Sequence, residues 1–235
     1  MCCKKFHLAI DSTYNLTIAL FQEQELIAKF YLAKDNNRLK GNKVNASDIL
    51  LPEIAKLLAN HKIKMQDLAF ISIINGPGFF TGVRIAIIFA KMVNLALNIP
   101  VIQYSSCKIL AYEALQQQKQ AKSLLACYHI GKQGMVYAMF DSNCNYLQEE
   151  TYIAQEQIAE FVKSLNQEGL IIVGNKQYLV ENTKILNNSS FLPNILYPNI
   201  QILGELAINN YTNKNYSHNI VPLYAKETDI TTKEV

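Results

Sequence analysis

The residues best placed to bind a ligand form one cluster at 76–84, Gly-Pro-Gly-Phe-Phe-Thr-Gly-Val-Arg, with three of the chain's nine glycines. An apolar run typical of a buried strand precedes the cluster and a helix-like pattern follows it. Free backbone N–H groups at such a helix start can bind an anion. The spacing fits neither G-x-x-x-x-G-K nor G-x-G-x-x-G, because Thr81 stands at the sixth position. A tight turn, with glycines for positive φ and close packing, is therefore the favoured interpretation.

Asp11 is the second candidate, because it directly follows a predicted strand at 6–10. Actin-like ATPases and kinases keep a phosphate-loop carboxylate beside Mg²⁺ at this point of the fold. Their loops carry a glycine next to it, so that the backbone can approach phosphate, whereas Ser12 and Thr13 follow here. An aspartate that forms a turn by bonding its own backbone is an adequate alternative.

The histidines and cysteines form no recognisable metal or nucleophile pattern. The four histidines are far apart, without an H-x-E-x-H or H-E-x-x-H pair. The five cysteines are an odd number without a C-x-x-C pair, as expected of reduced thiols in the cytosol. Cys107 lies at a predicted helix start, where a thiol pKa can fall, but a packed small residue is the favoured interpretation because no base is near it in sequence. We predict neither a metal site nor a catalytic nucleophile.

The composition indicates a globular protein of the cytoplasm. Half of the 235 residues are hydrophobic and 17% are charged, and 22 Lys and Arg against 19 Asp and Glu leave a net charge of +3. The basic residues are scattered, whereas dedicated nucleic-acid binders cluster them. The one candidate for a membrane span, 85–102, contains Lys91, Asn94, Asn98 and Pro100, which favours a buried helix and predicts no membrane association.

The order of predicted elements repeats. Three strands, a helix and a strand are predicted over 6–74, and the same series over 124–173, with a hairpin at 131–134. This repeat predicts an α/β protein with a duplicated actin-like ATPase (ribonuclease H-like) fold, in which each of two lobes has a mixed sheet flanked by helices. We place the N-terminal lobe at 1–106, the C-terminal lobe at 107–219 and a docked tail at 220–235.

Several strings together resemble the TsaB family of bacterial tRNA-modification proteins, which belongs to the TsaD-like or glycoprotease superfamily. The strings are 9–13 (AIDST), 50–52 (LLP), 76–86 (GPGFFTGVRIA), 98–101 (NIPV) and 105–106 (SS). The resemblance is strong over about the first 110 residues and weaker beyond, at Gly134, 136–137 and 222–224. The positions that carry the family motif are Asp11, Gly76, Pro77, Gly78, Thr81, Gly82 and Arg84.

The resemblance implies a non-catalytic subunit. Family members pair with the catalytic subunit TsaD, which binds metal through an H-x-E-x-H motif, and the ATPase TsaE joins them. The complex transfers threonylcarbamoyl to adenosine 37 of tRNAs that read ANN codons. The resemblance therefore implies that this chain stabilises and activates a TsaD-like subunit, contributes no catalytic residue and binds no cofactor alone. ATP and metal are expected on the partner subunits, tRNA is the substrate of the complex, and the free chain is a possible homodimer.

Two departures from the family pattern bear on function. Phe79 stands where many members have serine, and the segment 130–137 lacks two carboxylates of the family's second-lobe motif. An enzyme, either a nucleotide-dependent phosphotransferase or a glycoprotease-like peptidase, is the alternative function. The loop without glycine at Asp11 and the lack of a metal-ligand pair disfavour it.

Helix geometry predicts a partner surface on the two helices of the first lobe. Leu50, Ile54 and Leu58 of the first helix are expected to face inward, and Ile85, Ala86, Phe89, Val93 and Ala96 of the second to face the sheet. The opposite, outward sides of both helices also carry aliphatic residues among their polar ones, and packing of the core does not require these. The predicted interface comprises Ile49, Glu53, Lys56, Arg84, Ile87, Ile88, Lys91, Asn94 and Leu95.

Overall fold

A computed structural model describes residues 5–33, 38–39, 42–43, 45–129, 134–165, 169–174, 190–216 and 219–224. The first half contains β1 (Phe6–Asp11), β2 (Leu16–Gln22), β3 (Glu25–Leu32), β4 (Arg38–Leu39), β5 (Asn42–Lys43), α1 (Ala46–Asn60), β6 (Leu68–Ile74), α2 (Phe80–Leu97) and β7 (Val101–Tyr104). The second half contains α3 (Ser106–Gln117), β8 (Ser123–His129), β9 (Gly134–Asp141), β10 (Tyr146–Ala154), α4 (Ile158–Ser164), β11 (Leu170–Gly174), β12 (Ser190–Phe191) and α5 (Ile200–Thr212).

The first sheet has the strand order β3-β2-β1-β6-β7, with β1 antiparallel to β2 and parallel to β6. Every residue of β6 is buried, as its uninterrupted apolar run predicts for a strand covered on both faces. Side chains of β1 alternate between the two covers: Leu8 and Ile10 join the cluster under α1 and α2, whereas Ala9 joins the cluster under α5.

The second sheet repeats this order as β10-β9-β8-β11-β12. β8 is antiparallel to β9 and parallel to β11, which matches the relation of β1 to β2 and β6. The predicted duplicated two-lobed fold is therefore confirmed. Of the predicted hairpin at 131–134, only Gly134 lies within the described residues, and of the tail only 220–224 does.

The last helix departs from the predicted boundary of the lobes. We placed 107–219 in the second lobe, but α5 packs against β1, β2, β6 and β7 of the first sheet. Ile200, Ile202 and Leu203 of this helix share a core cluster with Ala9 and with Ile109 of α3. α3 covers the second sheet and also touches α5. The chain thus returns to the first lobe, where α5 buries the apolar face of the first sheet that α1 and α2 leave uncovered.

Candidate functional site

The loop between β6 and α2 is bound to its surroundings through its backbone. Gly76 has a φ of +125°, and its carbonyl accepts a hydrogen bond from the Ser106 N–H at 2.7 Å. The Ser106 hydroxyl donates to the Pro77 carbonyl at 2.7 Å. A Cβ at Gly76 would lie 2.6 Å from the Leu223 carbonyl oxygen, so only glycine fits here. The start of α3 and the C-terminal segment therefore fix this loop together.

The other two glycines of the motif allow the β1–β2 turn to pack against it. A Cβ at Gly78 would lie 2.6 Å from the Thr13 Cβ, and one at Gly82 would lie 1.9 Å from the Ser12 carbonyl oxygen. The Phe79 N–H donates to the Thr13 carbonyl at 2.7 Å, and the Ser12 hydroxyl donates to the Gly82 carbonyl at 2.6 Å. The two loops are thus in direct backbone contact at Gly78 and Gly82, which supports a tight turn rather than an anion cradle at these positions.

Asp11 forms the turn predicted as the alternative to a metal ligand. Its Oδ1 accepts hydrogen bonds from the Thr13 N–H at 2.8 Å and the Thr13 hydroxyl at 2.7 Å. Tyr128 of the second lobe donates to the same Thr13 hydroxyl at 3.3 Å, and both Tyr128 and Asp11 are buried. Burial raises the pKa of Asp11 to about 6, and the two bonds from Thr13 lower it only in part. This carboxyl therefore links the two lobes through Thr13.

A polar cleft of about 340 Å³ lies beside Asp11, lined by Lys29 of β3, Glu113 of α3 and Asn199 at the start of α5. The Glu113 carboxylate accepts a hydrogen bond from Asn199 at 3.3 Å, and burial raises the pKa of Glu113. Among the described residues, no group of three or more His, Cys, Asp or Glu side chains is arranged to hold a metal ion.

His7 is buried in an aromatic stack at the other end of β1. Its ring lies between those of Phe21 and Phe70, with centroid distances of 4.6 and 4.3 Å. Its Nε2 bonds the Glu23 carbonyl at 3.1 Å, whereas its Nδ1 has no hydrogen-bond partner among the described residues. Burial lowers the pKa of His7 to about 4, despite the bond to Glu23.

These two pKa shifts predict opposing pH dependences of stability. His7 binds a proton more readily in the unfolded chain, so its contribution stabilises the fold above pH 6.5 and is lost as the pH falls towards 4. Asp11 binds a proton more readily in the folded chain, so the fold gains stability as the pH falls from about 6 towards 4. When the pH falls from 7 to 4.5, the unfolding free energy of His7→Phe should drop by about 2 kcal/mol less than that of wild type, because the proton uptake by His7 in the unfolded chain is removed. The unfolding free energy of Asp11→Asn should drop by about 2 kcal/mol more than that of wild type, because the proton uptake by Asp11 in the folded chain is removed. Urea unfolding at both pH values measures this, and two variants with the same pH slope would contradict it.

Cys107 is a core residue, as the favoured interpretation predicted. Its side chain is fully buried, and desolvation raises the pKa of its thiol well above the usual value. The cap of α3 is Ser105, whose hydroxyl accepts the Lys108 N–H at 3.0 Å. The lowered thiol pKa that a helix start can cause is therefore not found here.

The predicted faces of α1 and α2 require correction. Ile87 and Ile49, which we placed in the partner interface, are 4% and 9% exposed and belong to the main core cluster. Ala96, expected to face the sheet, is exposed, and Ile85 is half-buried. α1 begins at Ala46 after the cap position Asn45. The inward positions Leu50, Ile54 and Leu58 are confirmed. Because α2 is apolar on nearly all sides, its hydrophobic pattern does not define which side is buried.

The outer side of α2 remains apolar and carries only positive charge. Leu95 is 85% exposed and Ile88 is 63% exposed, and Met92 lies between them. Arg84 and Lys91 are exposed on the same helix, which has no acidic residue, and Asn94 is half-buried. On α1, Lys56 is exposed and bonds the half-buried Glu53. We call the exposed residues Phe80, Arg84, Ile88, Lys91, Met92 and Leu95 the α2 face. By length and composition α2 could span a membrane, but the side of the helix opposite this face forms part of the core.

The C-terminal segment 219–224, here called the strap, docks as predicted for the tail at 220–235, but sequence reasoning missed the place where it docks. The Leu223 N–H donates to the Asn75 carbonyl at 2.8 Å, and the Val221 N–H donates to the Gln103 side chain at 3.0 Å. Tyr224 accepts a hydrogen bond from Arg84 at 2.9 Å and stacks on Phe80. The Pro222-Leu223-Tyr224 string was the available signal, but no periodicity in the sequence shows where such a segment docks.

Two lobes with the same strand order, joined by helices between their sheets, define a two-lobed actin-like protein. In this chain the turn after β1 packs against the loop after β6. Residues 43–225 match the family model described as TsaD, tRNA N6-adenosine threonylcarbamoyltransferase. The chain is 30% identical over 199 residues to the tRNA threonylcarbamoyladenosine biosynthesis protein TsaB of Buchnera aphidicola subsp. Schizaphis graminum, covering 82% of this chain and 88% of that protein. It is 32% identical over 164 residues to the protein of the same name from Bacillus subtilis, covering 68% and 66%.

Solved structures agree with the fold. YeaZ from Pseudomonas aeruginosa superposes with a TM-score of 0.70 at 21% identity, over 94% of this chain and 99% of that one. A P. aeruginosa protein described as similar to peptidase YEAZ superposes with a TM-score of 0.73 at 22% identity, over 94% and 100%. This chain belongs to the TsaB family of tRNA threonylcarbamoyladenosine biosynthesis proteins.

Proposed function

We propose that this chain is the non-catalytic partner of a TsaD-like subunit in threonylcarbamoylation of adenosine 37 of tRNA, in the cytoplasm. Its relatives are named as biosynthesis proteins of this modification. The observation that supports a partner role is the α2 face, where Leu95, Ile88 and Met92 expose large apolar side chains in a row along one helix. Contiguous exposed apolar surface of this kind marks protein–protein interaction sites.

The geometry at the end of β1 supports a role without catalysis by this chain. The backbone of 12–13 is in direct contact with Gly78 and Gly82, where an actin-like ATPase would bind phosphate. The Asp11 Oδ1 is occupied by Thr13. In this proposal ATP and metal are bound by the partner subunits, a TsaD-like transferase and a TsaE-like ATPase, and tRNA is the substrate of the complex.

The proposal is tested by reconstitution with the TsaD-like and TsaE-like subunits of the same organism. Modified adenosine should form at a much higher rate when this chain is added, and Asp11→Asn should support the wild-type rate. The chain alone should hydrolyse neither ATP nor peptides. ATP turnover by the isolated chain that is lost in Asp11→Asn would show that it is an enzyme and would contradict the proposal.

A further inference from the structure

Arg84 is the one basic residue of the α2 face whose side chain is held in place on two sides. Its guanidinium carbon lies 3.5 Å from the ring centroid of Phe80, within the range of a cation–π contact. Its Nε donates a hydrogen bond to the Tyr224 hydroxyl at 2.9 Å, and the Tyr224 ring in turn stacks on Phe80 with centroids 5.3 Å apart. An exposed arginine usually samples many rotamers, whereas these contacts select one orientation.

The strap supplies this restraint from a distant part of the sequence. Tyr224 is 140 residues from Arg84 in the chain. Its position is set by the strap's bonds to the ends of β6 and β7, through Asn75 and Gln103. Gly76 leaves room for the strap, because any side chain there would collide with the Leu223 carbonyl. The strap is therefore fixed independently of Arg84.

The contacts leave the outer part of the guanidinium free to bind a ligand. The bond to Tyr224 uses Nε alone, and neither terminal nitrogen bonds any described residue. These terminal N–H groups form a planar fork that matches a carboxylate with two parallel hydrogen bonds. No acidic residue of α2 competes for the fork, and Lys91 adds a second positive charge two turns along the same helix.

We propose that Tyr224 is a positioning residue, which holds the Arg84 guanidinium in the orientation that binds an Asp or Glu carboxylate of the TsaD-like subunit. This inference rests on the proposed partner role. The apolar row of Ile88, Met92 and Leu95 continues from the fork along α2, so the same partner surface would cover both. A partner with exposed apolar side chains beside a carboxylate complements this face in shape and in charge. The apolar row favours protein over the phosphate backbone of tRNA, which binds polar, positively charged surfaces.

Calorimetric titration of the TsaD-like subunit tests the inference with four variants. Tyr224→Phe keeps the ring on Phe80 but removes the hydroxyl that accepts from Nε, and should weaken binding about fivefold. Arg84→Lys keeps the charge but removes the fork, and should weaken it about twentyfold. In the Arg84→Lys background, Tyr224→Phe should change affinity less than about twofold, because its effect acts through the fork. Tyr31→Phe, an exposed tyrosine on β3, is the matched control and should bind as wild type does.

The outcomes separate this inference from the proposed function on which it rests. If Leu95→Asp weakens binding strongly while Tyr224→Phe and Arg84→Lys bind normally, the partner face is right and the carboxylate receptor is wrong. If the effects of Tyr224→Phe and Arg84→Lys on affinity simply add, Tyr224 does not position Arg84. If Arg84→Lys reduces only tRNA binding by the assembled complex, the fork binds phosphate and the inference is overturned. If wild type does not bind the subunit at all, the proposed function itself fails.

Discussion

Leu95→Asp is expected to weaken assembly with the TsaD-like subunit by roughly thirtyfold or more while leaving the fold of this chain intact. Leu95 is 85% exposed, so a carboxylate there stays in water in the free protein and costs little stability. In the complex the same carboxylate would be buried among apolar side chains without a partner. A central contact of this kind is worth about 2 kcal/mol or more, which corresponds to a loss of roughly thirtyfold in affinity.

The matched control is Leu147→Asp, which places the same change on β10 of the second lobe, where the leucine is 60% exposed. It should assemble with wild-type affinity. Both variants should melt within a few degrees of wild type. Equal loss of binding in the two would show that the effect is not specific to the α2 face, and unchanged binding by Leu95→Asp would exclude this face as the interface.

Ile87→Asp is expected to behave in the opposite way and to unfold the protein at temperatures where wild type is folded. Ile87 is 4% exposed within the cluster that also contains Leu50 and Ile54 of α1. A carboxylate there loses its hydration without gaining a partner, and an apolar contact is lost with it, at a cost of about 4 kcal/mol. That is a large part of the stability of a typical domain.

The neighbouring variant Ile88→Asp provides the control, because Ile88 is 63% exposed on the same helix. Urea unfolding should show a large drop in the midpoint for Ile87→Asp and little change for Ile88→Asp, which should instead lose partner binding. The reverse order of stabilities would mean that α2 is rotated relative to the arrangement described here.

The fold could be predicted because its central strands carry strong local signals. β6 has an uninterrupted apolar run that ends at a glycine-rich turn, and the helix predicted after this turn is α2, which begins at Phe80. The repeated order of elements then indicated two lobes, since each lobe must cover its own sheet. The motif at 76–84 indicated the family, and it also predicted the tight turn between β6 and α2 that the structure contains.

The parts that failed depend on contacts between distant segments. Ile87 was assigned to the wrong side because α2 carries apolar residues all around, and only its packing against α1 and the sheet decides which are buried. The return of α5 to the first sheet depends on which surface remains uncovered after both lobes form. The strap docks against Asn75 and Gln103, more than 100 positions away, and no pattern within 219–224 specifies that partner.

The most direct test of the central claim is the rate of threonylcarbamoyladenosine formation by the reconstituted subunits with two variants of this chain compared side by side. Asp11→Asn keeps an oxygen that can accept both bonds from Thr13 but removes the carboxylate that an actin-like active site would need. Leu95→Asp leaves that end of the sheet untouched and changes only the α2 face. If this chain is a non-catalytic partner, Asp11→Asn should support the wild-type rate of threonylcarbamoyladenosine formation, and Leu95→Asp should lose the increase in rate that the wild-type chain provides. Loss of activity with Asp11→Asn together with full activity of Leu95→Asp would contradict it.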